Sequence, residues 1–222
     1  MDYKQKYLIL DFGKVLAGPV SGNWFITPNF SKYIDIKKFD KDKLSETKSK
    51  YNYIIDAIIK TEDEEYKAFV DFYEKILEEQ NLEIDIKEIS KKLAYDFVYS
   101  NEKYELYSDV KENLDRLQKE YKLILLSDNW PCVYRIMKLW NIEKYFDKIY
   151  VSSIYGCQKR NKTFFDYPIK DYDIKANEVV FVDDNIELLK IAEEKGLIPV
   201  LMDRGNLVNE CEYRIISSLD EL

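Results

Sequence analysis

The first apolar run of the chain, Tyr7-Leu8-Ile9-Leu10, stops at Asp11 and then at a turn former, Gly13. A second run, Val179-Val180-Phe181-Val182, stops in the same way at Asp183-Asp184-Asn185. Short continuous apolar runs bounded by turn residues predict strands buried on both faces, as in a parallel sheet. From Tyr104 onward such runs alternate with helical periods. The pattern predicts a helix over 109–120 capped by Ser108, a strand over 122–126, and a helix from Pro131 to Trp140. It continues with a strand near 149–151, a helix over 163–169, the strand 179–182, and a helix over 185–195 that ends at Gly196. Strands near 198–202 and 213–216 complete the series.

Between these two parts the rhythm changes. From about residue 21 to 101 the chain is polar and tyrosine-rich, with helical periods over 42–60, 62–80 and 86–99. In the middle one, Tyr66, Phe69, Val70, Tyr73, Ile76 and Leu77 share a face. The whole predicts an α/β fold with a doubly wound parallel sheet, a Rossmann-like core of residues 1–17 and 102–222. An α-helical cap domain of residues 18–101 is inserted directly behind the first strand.

In such a sheet the carboxyl ends of the strands share one edge, where ligands bind. Asp11 and the Asp183-Asp184 pair, about 170 residues apart in sequence, are therefore expected to meet there. Carboxylates in contact repel unless a cation or a proton lies between them. A hard, oxygen-seeking ion such as Mg²⁺ is the natural occupant.

Composition narrows the chemistry. A formal charge of −8 argues against nucleic acid as the partner, because phosphate backbones call for a basic face. No run of about 18 apolar residues predicts a membrane span. Residues 1–6 lead into the first strand without an export signal, so a cytoplasmic location is expected. Cys132, Cys157 and Cys211 lack the spacing of a zinc site or a disulfide framework and are read as structural. Histidine is absent from all 222 residues, which removes Ser-His-Asp and Cys-His catalysis. Gly13 and Gly18 have P-loop spacing, but Pro19 and Val20 stand where Lys and Ser or Thr are required.

Four elements now stand in order: Asp11-Phe12-Gly13-Lys14-Val15-Leu16, Ser127-Asp128-Asn129, Lys159, and Asp183-Asp184. This order, with a cap-sized insert between the first and second, resembles the phosphatases of the haloacid dehalogenase superfamily over the whole chain. The resemblance implies an aspartyl-phosphate formed on Asp11 and hydrolysed by water. It implies Mg²⁺ held by Asp11, the backbone carbonyl of Gly13 and Asp184, with Asp183 a further ligand or the group that orients a metal-bound water. Ser127, Asp128 and Lys159 are placed at the substrate phosphate, with Lys159 also neutralising Asp11 and Lys162 a rival in the same loop. The paired Asp183-Asp184 favours phosphate over halide chemistry. The implied substrate is a small phosphorylated metabolite, with Trp24 and Trp130 candidate contacts.

Two departures from the family pattern matter. The second motif-one Asp, which protonates the leaving group, is replaced here by Gly13, and such acid–base help is worth about 10²–10⁴-fold. Asp128 stands where a neutral residue is usual, and a carboxylate about 4 Å from a phosphate charge costs on the order of 1–4 kcal/mol. Lys14, directly after Gly13, is read either as a solvated side chain or as a cation that offsets Asp128 at the rim of the site. The departures also motivate an alternative, a catalytically weak member of the fold that binds a phospho-ligand. A protein partner enters only through the tyrosine-rich cap.

Overall fold

The computed structural model describes residues 6–40, 42–43, 46, 50, 54, 57–80 and 82–222. Most of the helix expected over 42–60 lies outside the described residues, as do residues 1–5. The strands are β1 (Lys6–Leu10), β2 (Ala17–Pro19), β3 (Tyr104–Leu106), β4 (Tyr121–Ser127), β5 (Phe146–Val151), β6 (Val179–Asp183), β7 (Ile198–Met202) and β8 (Arg214–Ile216). The α-helices whose bounds lie within the described residues are α1 (Phe30–Tyr33), α2 (Glu62–Glu78), α3 (Ile86–Tyr99), α4 (Val110–Leu117), α5 (Cys132–Leu139), α6 (Ser152–Tyr155), α7 (Asp166–Asp171) and α8 (Ile186–Glu194).

Six strands form one parallel sheet in the order β5-β4-β1-β6-β7-β8. The order reverses at β1, the position at which an open α/β sheet leaves a crevice for ligands. Leu10 lies opposite both Leu125 of β4 and Val182 of β6. This register brings Asp11, Ser127 and Asp183 to one edge. The Asp11 N–H donates to the Val182 carbonyl at 3.1 Å, so the ladder extends to the aspartate itself.

Alternation along the strands supplies both faces of the sheet. Leu8, Leu10, Leu123, Leu125 and Val182 pack into one core cluster. Ile9, Ile124, Leu126, Phe181 and Leu201 pack into the other. The central strands β1, β4 and β6 are apolar on both sides, which is why each reads as a continuous run.

Several local expectations shift. The helix predicted over 109–120 is Val110–Leu117 and is preceded by Asp109, not capped by Ser108. The Asp109 carboxylate instead pairs with Arg204 at 2.7 Å and accepts the Leu219 N–H at 2.8 Å. Pro131 precedes α5. The segment over 163–169 is a short 3₁₀ turn, Lys162–Phe165, running into α7. Gly196 follows α8 with φ +83°, the left-handed turn that glycine tolerates.

The chain leaves the sheet through β2 and returns through β3, and these two pair as an antiparallel ribbon. Between them α2 and α3 build a separate aromatic cluster of Phe25, Phe69, Phe72, Tyr73, Phe97 and neighbours. A capping box at Thr61 and Glu64 starts α2. Its buried stripe is Glu65, Phe69, Phe72, Tyr73, Ile76 and Leu77, so Tyr66 and Val70 lie at the margin of the expected face. Among the described residues no helix is long and apolar enough to cross a membrane.

Candidate active site at the strand ends

Asp11 directly follows β1, Asp183 ends β6, and Asp184 follows it into the loop before α8. Each of the three offers a carboxylate oxygen, and these oxygens all lie within 4.8 Å of one another. Three hard oxygen donors at that separation suit a hard divalent cation. Asp11 and Asp183 are buried, whereas Asp184 is only partly so.

Lys159 enters this cluster from the loop after α6. It is 1% exposed. Its Nζ lies 2.5 Å from Asp183 Oδ2 and 2.9 Å from Asp11 Oδ1. Burial works against the charge of Lys159, but Asp11 and Asp183 outweigh it and hold the ammonium above the usual lysine range. Burial pushes the Asp183 carboxyl up, with Lys159 pulling against it. The Asn185 N–H also donates to Asp183 Oδ1 at 2.9 Å. Asp11 Oδ1 is close to Lys159 but out of line for a hydrogen bond, and it has no aligned donor among the described residues. A buried carboxylate oxygen left in this state is suited to a further cation. Lys162, the rival in the sequence, is 57% exposed and pairs with Glu194 at the surface.

Ser127 closes β4, is buried, and lines the cavity over the cluster together with Asp11, Gly13, Asp128 and Asp184. Asp128 opens into that cavity. Its Oδ1 accepts the backbone N–H of Lys159 at 2.9 Å, which ties the end of β4 to the lysine loop. The surrounding protein raises its pKa by desolvation, with Lys159 opposing. Lys14 does not offset Asp128. Its Nζ lies 2.9 Å from Asp184 Oδ2. The cause is the turn: Lys14 adopts φ +52°, and its N–H donates to Ala17 at 2.7 Å. The side chain thus meets the end of β6 rather than β4. The bond and charge of Asp184 raise its pKa in turn.

The cavity has a volume of about 270 Å³. Its far wall is aromatic, with Trp24, Phe25, Tyr104 and Trp130. Both tryptophans line the cavity and also pack against the buried clusters. A Cβ added to Gly13 would lie 3.2 Å from two ring carbons of Trp24.

A second ionic cluster escaped sequence reading. Glu65 of α2 is fully buried, and its Oε2 accepts the Cys132 N–H at the start of α5 at 2.8 Å. The buried Lys103 Nζ lies 3.0 Å from Cys132 Sγ and over the Phe97 and Tyr104 rings at 4.2 and 4.7 Å. The one available signal was a glutamate four residues before Phe69 on an apolar stripe. All three cysteines are free, as expected, and Cys132 is buried.

Comparison with known proteins agrees with this geometry. A family model described as haloacid dehalogenase-like hydrolase matches residues 46–200, which include Ser127, Lys159, Asp183 and Asp184 but not Asp11. The chain is 36% identical over 73 residues to drimenol cyclase drtB of Aspergillus calidoustus, covering 33% of this chain and 14% of that protein. It is 35% identical over 86 residues to a glyceraldehyde 3-phosphate phosphatase of Methanocaldococcus jannaschii, covering 36% of this chain and 38% of that protein. The chain thus matches well under half the length of these relatives. Among solved structures, a 2-haloacid dehalogenase from Pseudomonas syringae pv. Tomato DC3000 aligns with TM-score 0.67 at 13% identity over 98% of this chain and 96% of that one. YfnB from Bacillus subtilis, bound to magnesium, aligns with TM-score 0.65 at 17% identity over 98% and 96%. These likenesses are likenesses of fold.

Proposed function

The chain belongs to the haloacid dehalogenase-like hydrolases, and on that footing we propose that it is a Mg²⁺-dependent phosphomonoester hydrolase acting on a small phosphorylated metabolite. The observation that carries this reading is the three-carboxylate cluster of Asp11, Asp183 and Asp184 around one buried lysine. Halide displacement has no need of a carboxylate set suited to a divalent cation. Phosphoryl transfer to an anionic nucleophile does, because both partners carry negative charge. Bound Mg²⁺ would supply that neutralisation, held by Asp11, the Gly13 carbonyl, Asp184 and Asp183.

In this reading Asp11 attacks phosphorus, the ester oxygen departs, and water hydrolyses the resulting aspartyl-phosphate. The Asp11 N–H bond to Val182 fixes the nucleophile at the sheet edge. Lys159 lowers the charge that Asp11 presents to the phosphate and receives phosphate charge as it develops. Ser127 offers its hydroxyl to a phosphate oxygen. Asp128 contributes by holding the Lys159 loop, since its carboxylate is engaged by the Lys159 N–H. With Gly13 in motif one, this chain has no carboxylate there to protonate the leaving oxygen. Residues 18–101 act as the cap, carried on the β2–β3 ribbon, and the core is 1–17 and 102–222.

The test is phosphate release from a panel of phosphomonoesters, with Mg²⁺ and with chelator, for wild type and Asp11→Asn. Chelator-sensitive release that disappears in Asp11→Asn is expected. Release that survives in Asp11→Asn would overturn the reading.

A further inference from the structure

Resting on that reading, we propose that the leaving-group side of the cavity is built for a planar, apolar group, so that the substrate is a monoester with an aryl or arylmethyl leaving group rather than a sugar phosphate. The argument starts at Gly13. The space that a side chain there would enter is taken by the Trp24 ring, 3.2 Å from the position of the absent Cβ. An indole therefore stands beside the nucleophile where an ionisable acid could have stood.

The wall continues in the same character. Trp24 lies 5.5 Å from the Tyr104 ring, and Phe25 lies 6.3 Å from Trp130 in edge-to-face contact. Trp130 is backed by Phe69 at 5.1 Å, so the wall is part of the packed aromatic cluster and not a set of loose side chains. Rigid aromatic faces bind flat rings by offset stacking and edge contacts in addition to apolar burial.

Two of the polar side chains that line the cavity are engaged by backbone N–H groups. Ser152 Oγ accepts the Asn129 N–H at 3.1 Å, and Asn129 Oδ1 accepts the Trp130 N–H at 2.9 Å. Hydroxyls of a polyhydroxylated leaving group set against Trp24, Phe25 and Trp130 would face ring carbons, and unpaired buried hydroxyls are costly. Size agrees as well. An apolar cavity of about 150 Å³ already holds benzene, and this one has about 270 Å³ for a ring plus a phosphoryl group.

Leaving-group basicity must be separated from pocket chemistry. Benzyl phosphate and glycerol 1-phosphate both release alkoxides of similar basicity but opposite polarity. Their kcat/KM ratio with Mg²⁺ is expected to favour benzyl phosphate by at least about tenfold, from ring burial and aromatic contact. Trp24→Ala is expected to bring that ratio down toward one, through KM for the benzyl ester. A parallel arm needs no turnover: benzylphosphonate is expected to bind at least about tenfold tighter than 2-hydroxyethylphosphonate by calorimetry. Glycerol 1-phosphate turned over as well as benzyl phosphate, or equal affinity for the two phosphonates, would overturn the inference. If no ester releases phosphate while benzylphosphonate keeps its advantage, the hydrolase reading fails and the aromatic pocket stands.

Discussion

Lys159 and Lys103 are both buried ammonium groups, and what surrounds each separates a reactive cluster from an architectural one. Lys103 faces Glu65, the Cys132 thiol and two aromatic rings, at the junction of α2, β3 and α5. One cation and one carboxylate share the cluster through Cys132, and both are buried. Lys159 faces Asp11 and Asp183 directly, with Asp128 and Asp184 on the same cavity. There the carboxylates outnumber the cation and the cluster opens outward. Burial of charge is therefore not by itself a mark of function. An imbalance of charge combined with access is, because such a cluster is incomplete until further positive charge arrives.

The largest expected effect tests the imbalance. Asp11→Asn is expected to lower phosphate release by about 10³-fold or more. Lys103→Met, assayed on its folded fraction, should keep a turnover rate close to wild type. A collapse of turnover in folded Lys103→Met would erase the distinction between the clusters.

Stability should separate them in the opposite sense. Leaving a buried charge uncompensated costs about 3–5 kcal/mol, and Lys103→Met leaves buried Glu65 without the nearby cation whose charge opposes its burial. Urea unfolding should show that loss, and Glu65→Gln combined with Lys103→Met should recover most of it. The pH dependence has a definite sign. Burial already holds the Glu65 carboxyl above its ordinary 4.5. A carboxyl raised in the folded state stabilises below the unfolded pKa, and that contribution is lost as pH rises through the folded value. The deficit of Lys103→Met should therefore be greatest near neutrality and shrink as pH falls toward 4.5. A deficit that grew on acidification would show that Glu65 is not the group left unpaired.

The two clusters also differ in how far the sequence discloses them. Asp11, Ser127 and Asp183 were legible because each terminates an apolar run, and register in a parallel sheet carries strand ends to a common edge. Lys159 was legible from its interval to the other motifs, and its burial distinguishes it from Lys162. The parallel sheet and its helices follow from the same periodicities, with errors confined to caps and ends such as Ser108. Glu65, Lys103 and Cys132 come from three elements with no common motif, so only the odd glutamate on the α2 stripe hinted at them. The pairing of Lys14 depended on a left-handed backbone angle at a lysine, which composition does not announce. Trp24 against Gly13 depended on where a loop places one ring.

A metal titration sharpens the contrast at intermediate size. Mg²⁺ at about 100 times its dissociation constant adds about 2.7 kcal/mol to a protein that binds it only when folded. For a chain of this length that corresponds to a rise in Tm of about 5–10 °C. Wild type and Lys103→Met should both show the rise, from different starting points, and Asp184→Asn should lose it. An unchanged rise in Asp184→Asn would remove that residue from the proposed metal site.

The smallest effect concerns Lys14, which adds a second cation to the open cluster. Its ammonium lies on Asp184 Oδ2 at 2.9 Å, yet its side chain is 57% exposed. An ion pair so exposed is worth about 0.2–1 kcal/mol. It competes with any cation that needs Asp184, but only by that margin. Lys14→Met should therefore tighten Mg²⁺ binding by about two- to fivefold in calorimetry, with Lys14→Arg close to wild type. Weaker binding in Lys14→Met would mean that Lys14 orients Asp184 for the metal instead of competing with it. The open cluster would then be more like the closed one, a lysine and a carboxylate held together as a structural pair.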